Sequence, residues 1–442
     1  MNGRFLLGLS IAITGALAAD PVALTLPEAV KLALAQNRTI RIARLKVVEK
    51  EQKKAGAKAD YFPRLKNESS FVHVTSVPSI EIPSGAFGVI QNTAVPTHDI
   101  LIGQGGLTAE TVGTSLTQPL TPLIRIREQN RVTASEAAAS REDVRTLENQ
   151  IAVKVHEAYY GILIAKLQKQ AAEQDRAYAT TRLSEAKEGV RDGNALNLDV
   201  LDSKAALLQS DQSLLTIDLH IADLNAELND LLGLPQGTRL VLSPVATNTP
   251  PDLSSQELLE IAYSTNPEIR SAIETVEQAK AAVTAAKSAY IPDIAVSARQ
   301  SYQNGIPFLV RNFGTFEVGM NYDVFDFGKR RAAVRERQAQ LAQARENVER
   351  LKDAVAVEVE QSTNKVERTR RMVEVASEVL KLRTEAERVA ENQLKEGVVL
   401  VSIRRAASAA SYKARADLLQ AQLAYMLANA ELQQTIGRTP GE

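Results

Sequence analysis

The 442-residue sequence has no cysteine and no tryptophan, only 4% of it is aromatic, and its 52 basic and 53 acidic residues leave a formal charge of −1. Without cysteine there is no disulfide, no thiol nucleophile and no lipidated N-terminal cysteine. Without a basic excess or aromatic platforms, nothing attracts or stacks on nucleic acid. Beyond the first twenty residues no apolar run approaches the ~20 residues of a membrane helix, so any membrane entry falls to β-strands. The scarcity of aromatic side chains suits alanine-rich helices that pack closely.

The chain opens with Arg4, an apolar run over 5–17 and the small residues Ala16 and Ala18. Residues 1–19 read as a secretory signal cut after Ala18 or Ala19; the run is short for a signal anchor. A very long helix is then expected from Leu123 to Val190, with Thr121 as its cap, Pro122 at its start and no further proline until Pro235. At ~1.5 Å per residue it is a rod roughly 100 Å long. Val144, Ile151, Val155, Ala158, Ile162 and Ala165 follow the spacing of a supercoiled seam, interrupted by Glu148. The seam recurs 204 positions on, from Val348, Val355 and Val359 through Ser362, Val366, Thr369, Val373 and Ala376 to Leu380.

Residues 24–63 read as a helix ending at Phe62-Pro63, and 253–292 repeat it without gaps at an offset of 229. Asn37, Ile40, Arg41, Ala57, Lys58, Tyr61 and Pro63 are among the residues matched, so the chain is internally duplicated. Two strands follow each proline, at 65–75 and 107–119, then at 294–302 and 313–324. In the last, Phe316, Val318, Met320, Tyr322 and Val324 alternate with Glu317, Gly319, Asn321 and Asp323. That pattern fits a barrel strand between lipid and a polar lumen. It also fits a soluble hairpin buried on one face. Between the first pair lies a loop, 76–106, rich in Pro, Gly, Ser and Thr; the second pair manages with about ten residues around Gly305 and Pro307, so shortening the longer loop should be tolerated. Each rod ends at Gly193 or Gly397, and a helix returns to Gly233 or Gly437. Residues 20–233 form the first repeat, 234–255 a proline-rich linker packed on the outside, and 256–442 the second repeat.

The duplicated half, the Ala-Lys-x-x-Tyr-x-Pro runs at Ala57 and Ala286, the Asp326-Phe327-Gly328-Lys329-Arg330 run and the segment from Gly193 to Asp202 resemble the TolC-type outer membrane efflux protein family over essentially the whole mature chain. The resemblance implies a mainly α fold with a small β part. Long helical hairpins would build an α-barrel in the periplasm, and four antiparallel strands per chain would join a trimeric twelve-stranded outer membrane β-barrel. Physics reaches the trimer separately. Four strands cannot close, open edges in lipid cost several kcal/mol per unpaired group, and two chains would give eight strands whose interior fills with side chains.

The expected function is a passive outer membrane exit duct, a homotrimer in contact with lipid that takes solutes from an inner-membrane pump and a periplasmic adaptor. Alternatives are the duct of a type I protein secretion system and a soluble periplasmic coiled coil. No catalytic site, cofactor or metal is expected: His73, His98, His156 and His220 lack ligand spacing, and Gly103-Gln104-Gly105-Gly106 lacks the lysine, strand and helix of a phosphate cradle. By resemblance, Gly193 and Gly397 mark tips that face the adaptor, and acids after the tip form a gate. The first hairpin keeps them as Asp199 and Asp202; the second has Ile403 and Ala406 instead, beside Arg404 and Arg405. Asp199 is expected either to pair with Arg404 or Arg405 across hairpins, or only to favour its own helix start beside an Asn197 cap.

Overall fold

The computed structural model describes residues 22–103, 105–244, 254–306 and 310–440. The signal, Gln104, Pro307 and the linker prolines Pro250 and Pro251 lie outside them. The elements run β1 (Val22–Leu24), α1 (Leu26–Gln36), α2 (Arg38–Ala59), β2 (Arg64–His73), β3 (Ser79–Ile82), β4 (Val89–Ile90), β5 (Thr93–Ala94), β6 (Ile100–Gly103), β7 (Thr108–Pro119), α3 (Leu123–Arg191) and α4 (Asn197–Leu232). After β8 (Leu240–Leu242) come α5 (Ser255–Thr265), α6 (Pro267–Ser288), β9 (Asp293–Asn304), β10 (Asn312–Asn321), α7 (Lys329–Lys395) and α8 (Val401–Thr435). Two compact units result, and each draws on both repeats: one holds the chain up to Leu45, Arg141–Arg270 and the chain from Glu349, the other Lys46–Ser140 and Ser271–Val348.

In the first unit, the helix expected over 24–63 is broken at Asn37. Its Oδ1 accepts from Thr39 N at 2.9 Å and Ile40 N at 3.2 Å, ending α1 and capping α2, while Nδ2 donates to Leu231 O at 3.0 Å. The duplicate does the same: Asn266 Oδ1 accepts from Glu268 N at 2.9 Å, and Nδ2 donates to Thr435 O at 3.0 Å. Asparagine prefers such caps, and Pro267 at the first position of α6 tolerates them. Gly233 and Gly437 complete both knots, each left-handed at φ +69° and +79° and each with backbone where a Cβ would sit, Gln36 O at 2.8 Å and Thr265 O at 2.5 Å. Acids three residues into α1 and α5 close their starts, Glu28 on Thr25 and Glu257 on Ser254.

The seam of the first rod is buried from Val144 to Ala165 as its spacing predicts, with Val155 and Ile162 fully enclosed beside Leu228 and Leu232. Glu148 turns out to Arg44 at 2.7 Å. Val355 and Val359 enter the corresponding core of the second repeat with Ile269 and Ile436. The linker is not merely outside. Its β8 pairs in parallel with β1 and drives Leu240 and Leu242 into the first core. The buried Tyr159 hydroxyl reaches Ser243 O at 2.8 Å and Leu24 O at 3.0 Å, which satisfies its donor beneath both strands.

In the second unit, β2, β7, β9 and β10 form one antiparallel sheet in the order β10-β9-β7-β2. Strand β10 stops at Asn321, so Tyr322 and Val324 lie beyond the strand expected to include them. The segment 76–106 is not a plain loop: β3 pairs with β6, and inside them β4 pairs with β5. Thr121 does not cap α3. Its hydroxyl donates to Pro292 O at 2.6 Å and accepts from Ile294 N at 2.7 Å, pinning the start of β9 instead.

Asn266→Ala should uncap α6 and orphan Thr435 O, lowering stability by about 1–3 kcal/mol. A urea midpoint in detergent checks this, and Asn266→Asp, which keeps the cap acceptor, should lose less.

Candidate functional site

Residues directly paired in an antiparallel sheet share a face. One face of this sheet therefore carries Leu65, Leu116, Ala298 and Phe316 across its four strands, followed by Val296 with Val318 and Ile294 with Met320. The other carries Lys66, Arg299 and Thr315, flanked by Glu68 and Glu317. On this polar face Arg299 lies flat across Gly113, where a Cβ would collide with its guanidinium, and reaches Glu68 two strands away at 3.6 Å, with Lys66 also on Glu68. A soluble hairpin would bury its apolar face in its own chain. Phe316, Val318 and Met320 are instead 90%, 73% and 70% exposed. The edges β2 and β10 have no partner strand among the described residues. They run in opposite directions, so copies placed edge to edge continue one antiparallel sheet.

At the foot of the sheet a cavity of about 340 Å³ is lined by Arg125, Asp293, Asp323, Asp326, Lys329 and Arg330 among others. Asp326 builds the turn there, accepting from Gly328 N at 3.0 Å, Arg330 N at 2.9 Å and Arg330 Nε at 2.7 Å. Phe327 between them is left-handed at φ +53°. The Arg330 guanidinium also lies over the rings of Tyr322 and Tyr290, at 5.0 and 5.4 Å.

The hairpin tips lie in the first unit. Gly193 and Gly397 have φ of +76° and +71° with open space around them, so the turn needs glycine for its backbone and not for room. Leu196, not Asn197, is the cap of α4, and the Asp199 carboxylate accepts from its N–H at 2.8 Å. Asp202 is exposed. The second hairpin has no such acid. Glu185 of α3 supplies one from the other hairpin, accepting from Ser402 N at the start of α8 at 3.0 Å. Sequence reading missed this residue, and its signal was the missing acid at Ile403. Arg404 donates to Glu391 at 2.7 Å, and that bond, then the charge, holds the Glu391 carboxyl below its ordinary range. Arg405 keeps a buried Nε without a hydrogen-bond partner among the described residues. Within one chain Asp199 and Arg404 are thus each engaged elsewhere.

The histidines have ordinary surroundings: His156 is buried and donates from Nδ1 to Ala152 O at 2.8 Å, and burial lowers its pKa. Among the described residues no group of acids and histidines has the arrangement of a metal site, and no helix is long and apolar enough to cross a membrane.

The family model described as outer membrane efflux protein matches residues 29–234 and 258–438. The chain belongs to the outer membrane efflux protein family. Its fold is similar to CusC, at 19% identity and a TM-score of 0.73 over 93% of this chain and 92% of that one. It is also similar to the outer-membrane channel OprN, at 17% identity and a TM-score of 0.74 over 94% and 91%, and to the Campylobacter jejuni CmeC outer membrane channel, at 14% and 0.75 over 93% and 85%. A comparison with curated proteins finds no match. As a member of this family the chain is an outer membrane channel that extends into the periplasm, and it closes its barrel as a homotrimer of twelve strands. The apolar sheet face is then the lipid face and the Lys66–Arg299 face the lumen.

The Asp326 carboxyl is held down to about 2 from its ordinary 3.8, first by the Arg330 N–H and then by its guanidinium. A depressed carboxyl stabilises fully above its unfolded value and loses that contribution as pH falls through the folded one. Asp326→Asn should therefore lower the melting temperature at neutral pH, and the gap to the unmodified protein should close between pH 4 and about 2.

Proposed function

We propose that this channel is the passive exit duct of a tripartite efflux pump, taking drugs or other solutes from an inner-membrane pump through a periplasmic adaptor. The observation that carries the proposal is the sheet with a bare apolar face, a charged opposite face and two open edges, joined in one chain to long helical hairpins. Such a wall conducts but does no work, and the sequence offers no nucleotide cradle to drive it.

The tips are the proposed adaptor site. Leu196, Leu198 and Leu201 at the first tip and Val398 and Leu400 at the second are each at least 60% exposed, an apolar surface of the kind protein partners cover. Inserting residues at Gly193 or Gly397 should abolish efflux while trimers still reach the outer membrane, as drug-accumulation assays and crosslinking would read; normal efflux would sink the adaptor reading.

For the gate, the orphaned Arg405 Nε supports a partner outside its own hairpin, and Asp199, which uses only Oδ2 on Leu196 N, can offer its other oxygen to Arg405 or Arg404 of another hairpin. Glu185 on the start of α8 is a second tie between hairpins. Single-channel conductance should rise in Asp199→Asn, Arg405→Gln and Glu185→Gln if these ties hold the resting tunnel closed. Reduced thermal stability with unchanged conductance would leave Asp199 and Glu185 as helix caps only.

A further inference from the structure

The outer hairpin grows from a sheet edge that another subunit must meet. His73 of β2, Asn304 of β9 and Asn312 of β10 lie at one end of the sheet, since His73 pairs with Thr108, Glu110 with Asn304, and Tyr302 with Asn312. From that end Val74 N donates to Leu107 O at 2.8 Å, and the chain continues into β3 and back through β6. Ile80 pairs with Ile102 and Ile82 with Ile100, so all four isoleucines share one face while Glu81 and Leu101 take the other. A two-stranded ribbon is marginal in water unless a further layer covers its apolar face. Its own chain covers this one only in part: Ile82 and Ile102 are half-buried, while Ile80 is 50% and Ile100 37% exposed.

The opposite edge of the sheet offers a matching surface at the same end. Val310 is 68% exposed just before β10, and Tyr302, on the apolar face of β9, is exposed beside it; Phe313 pairs with Ser301 and belongs to the opposite face. In the closed barrel β2 of one chain lies against β10 of the next, so the ribbon that prolongs β2 rises beside that rim. We propose that the four-isoleucine face docks on the Tyr302 and Val310 rim of the neighbouring copy, a clasp that joins the three subunits outside the membrane. The inference rests on trimeric assembly and is independent of what the duct carries. It also reverses the expectation that the segment can be shortened freely.

The cysteine-free sequence makes engineered thiols the only thiols. In outer membranes, Ile80→Cys combined with Val310→Cys and treated with a short bismaleimide should give covalent dimers and trimers on a denaturing gel. Glu81→Cys with Val310→Cys, which places the thiol on the opposite face, should leave monomers. Crosslinks confined to one chain, none at all, or equal yield from both faces would overturn the clasp. As a second reading, Ile80→Asp with Ile102→Asp should lower the temperature at which the trimer dissociates in detergent while efflux persists. An unchanged dissociation temperature would also overturn it, and is the result expected if lipopolysaccharide or an external protein covers the face instead.

Discussion

Backbone groups cannot be left unpaired in hydrocarbon, and among the described residues this sheet has four strands and two bare edges. Oligomerisation is therefore a condition of the fold in its membrane. The requirement explains the composition of the sheet. Each strand needs apolar residues on one face alone, so no segment is as hydrophobic as a membrane helix, and the opposite face is free to hold Lys66, Glu68 and Arg299 along the lumen. Gly113 is part of the same solution, because only a bare backbone lets Arg299 lie across β7 to reach Glu68.

Away from the sheet the constraint is different. Long helices packed by small side chains have few features that fix one helix at a given height along another. The asparagine knots at Asn37 and Asn266 supply them: one buried side chain ends a helix, starts the next and holds the last turn of a third, with Gly233 or Gly437 admitting the close approach. Amide groups buried this way stabilise only when every bond is made, so they specify a register that apolar packing alone leaves loose.

The duplication, both rods, their seams and the four principal strands were legible because each repeats a period of 3.5 or 2 over many residues. The breaks were not. Asn37 sits inside an unbroken helical pattern, and only Asn266-Pro267 in the copy carries a local stop signal. The linker hid β8 because three residues are too short for alternation to register, and the outer segment hid two nested ribbons because turn-rich composition reads as loop. At the tips, Gly193 and Gly397 were legible as turns at the ends of long helical patterns, and Asp199 as an acid beside a helix start. Glu185 was not, since it lies 217 positions from the backbone it caps.

Where the halves differ is more informative than where they agree. The first hairpin closes its returning helix with its own Asp199; the second, lacking an acid at Ile403, takes Glu185 from the first. A self-capped helix start can move as a unit without losing its bond. A borrowed cap cannot, because separating the hairpins exposes the N-terminal N–H groups of α8 and leaves Glu185 without its donor. The two hairpins are thus unequal in what they lose on parting. Motion between them concentrates its cost at the second tip, where Arg405 already holds an unpartnered buried Nε and Arg404 is tied to Glu391. Duplication gives two like hairpins, and the absence of a carboxylate at Ile403 is enough to make one of them depend on the other.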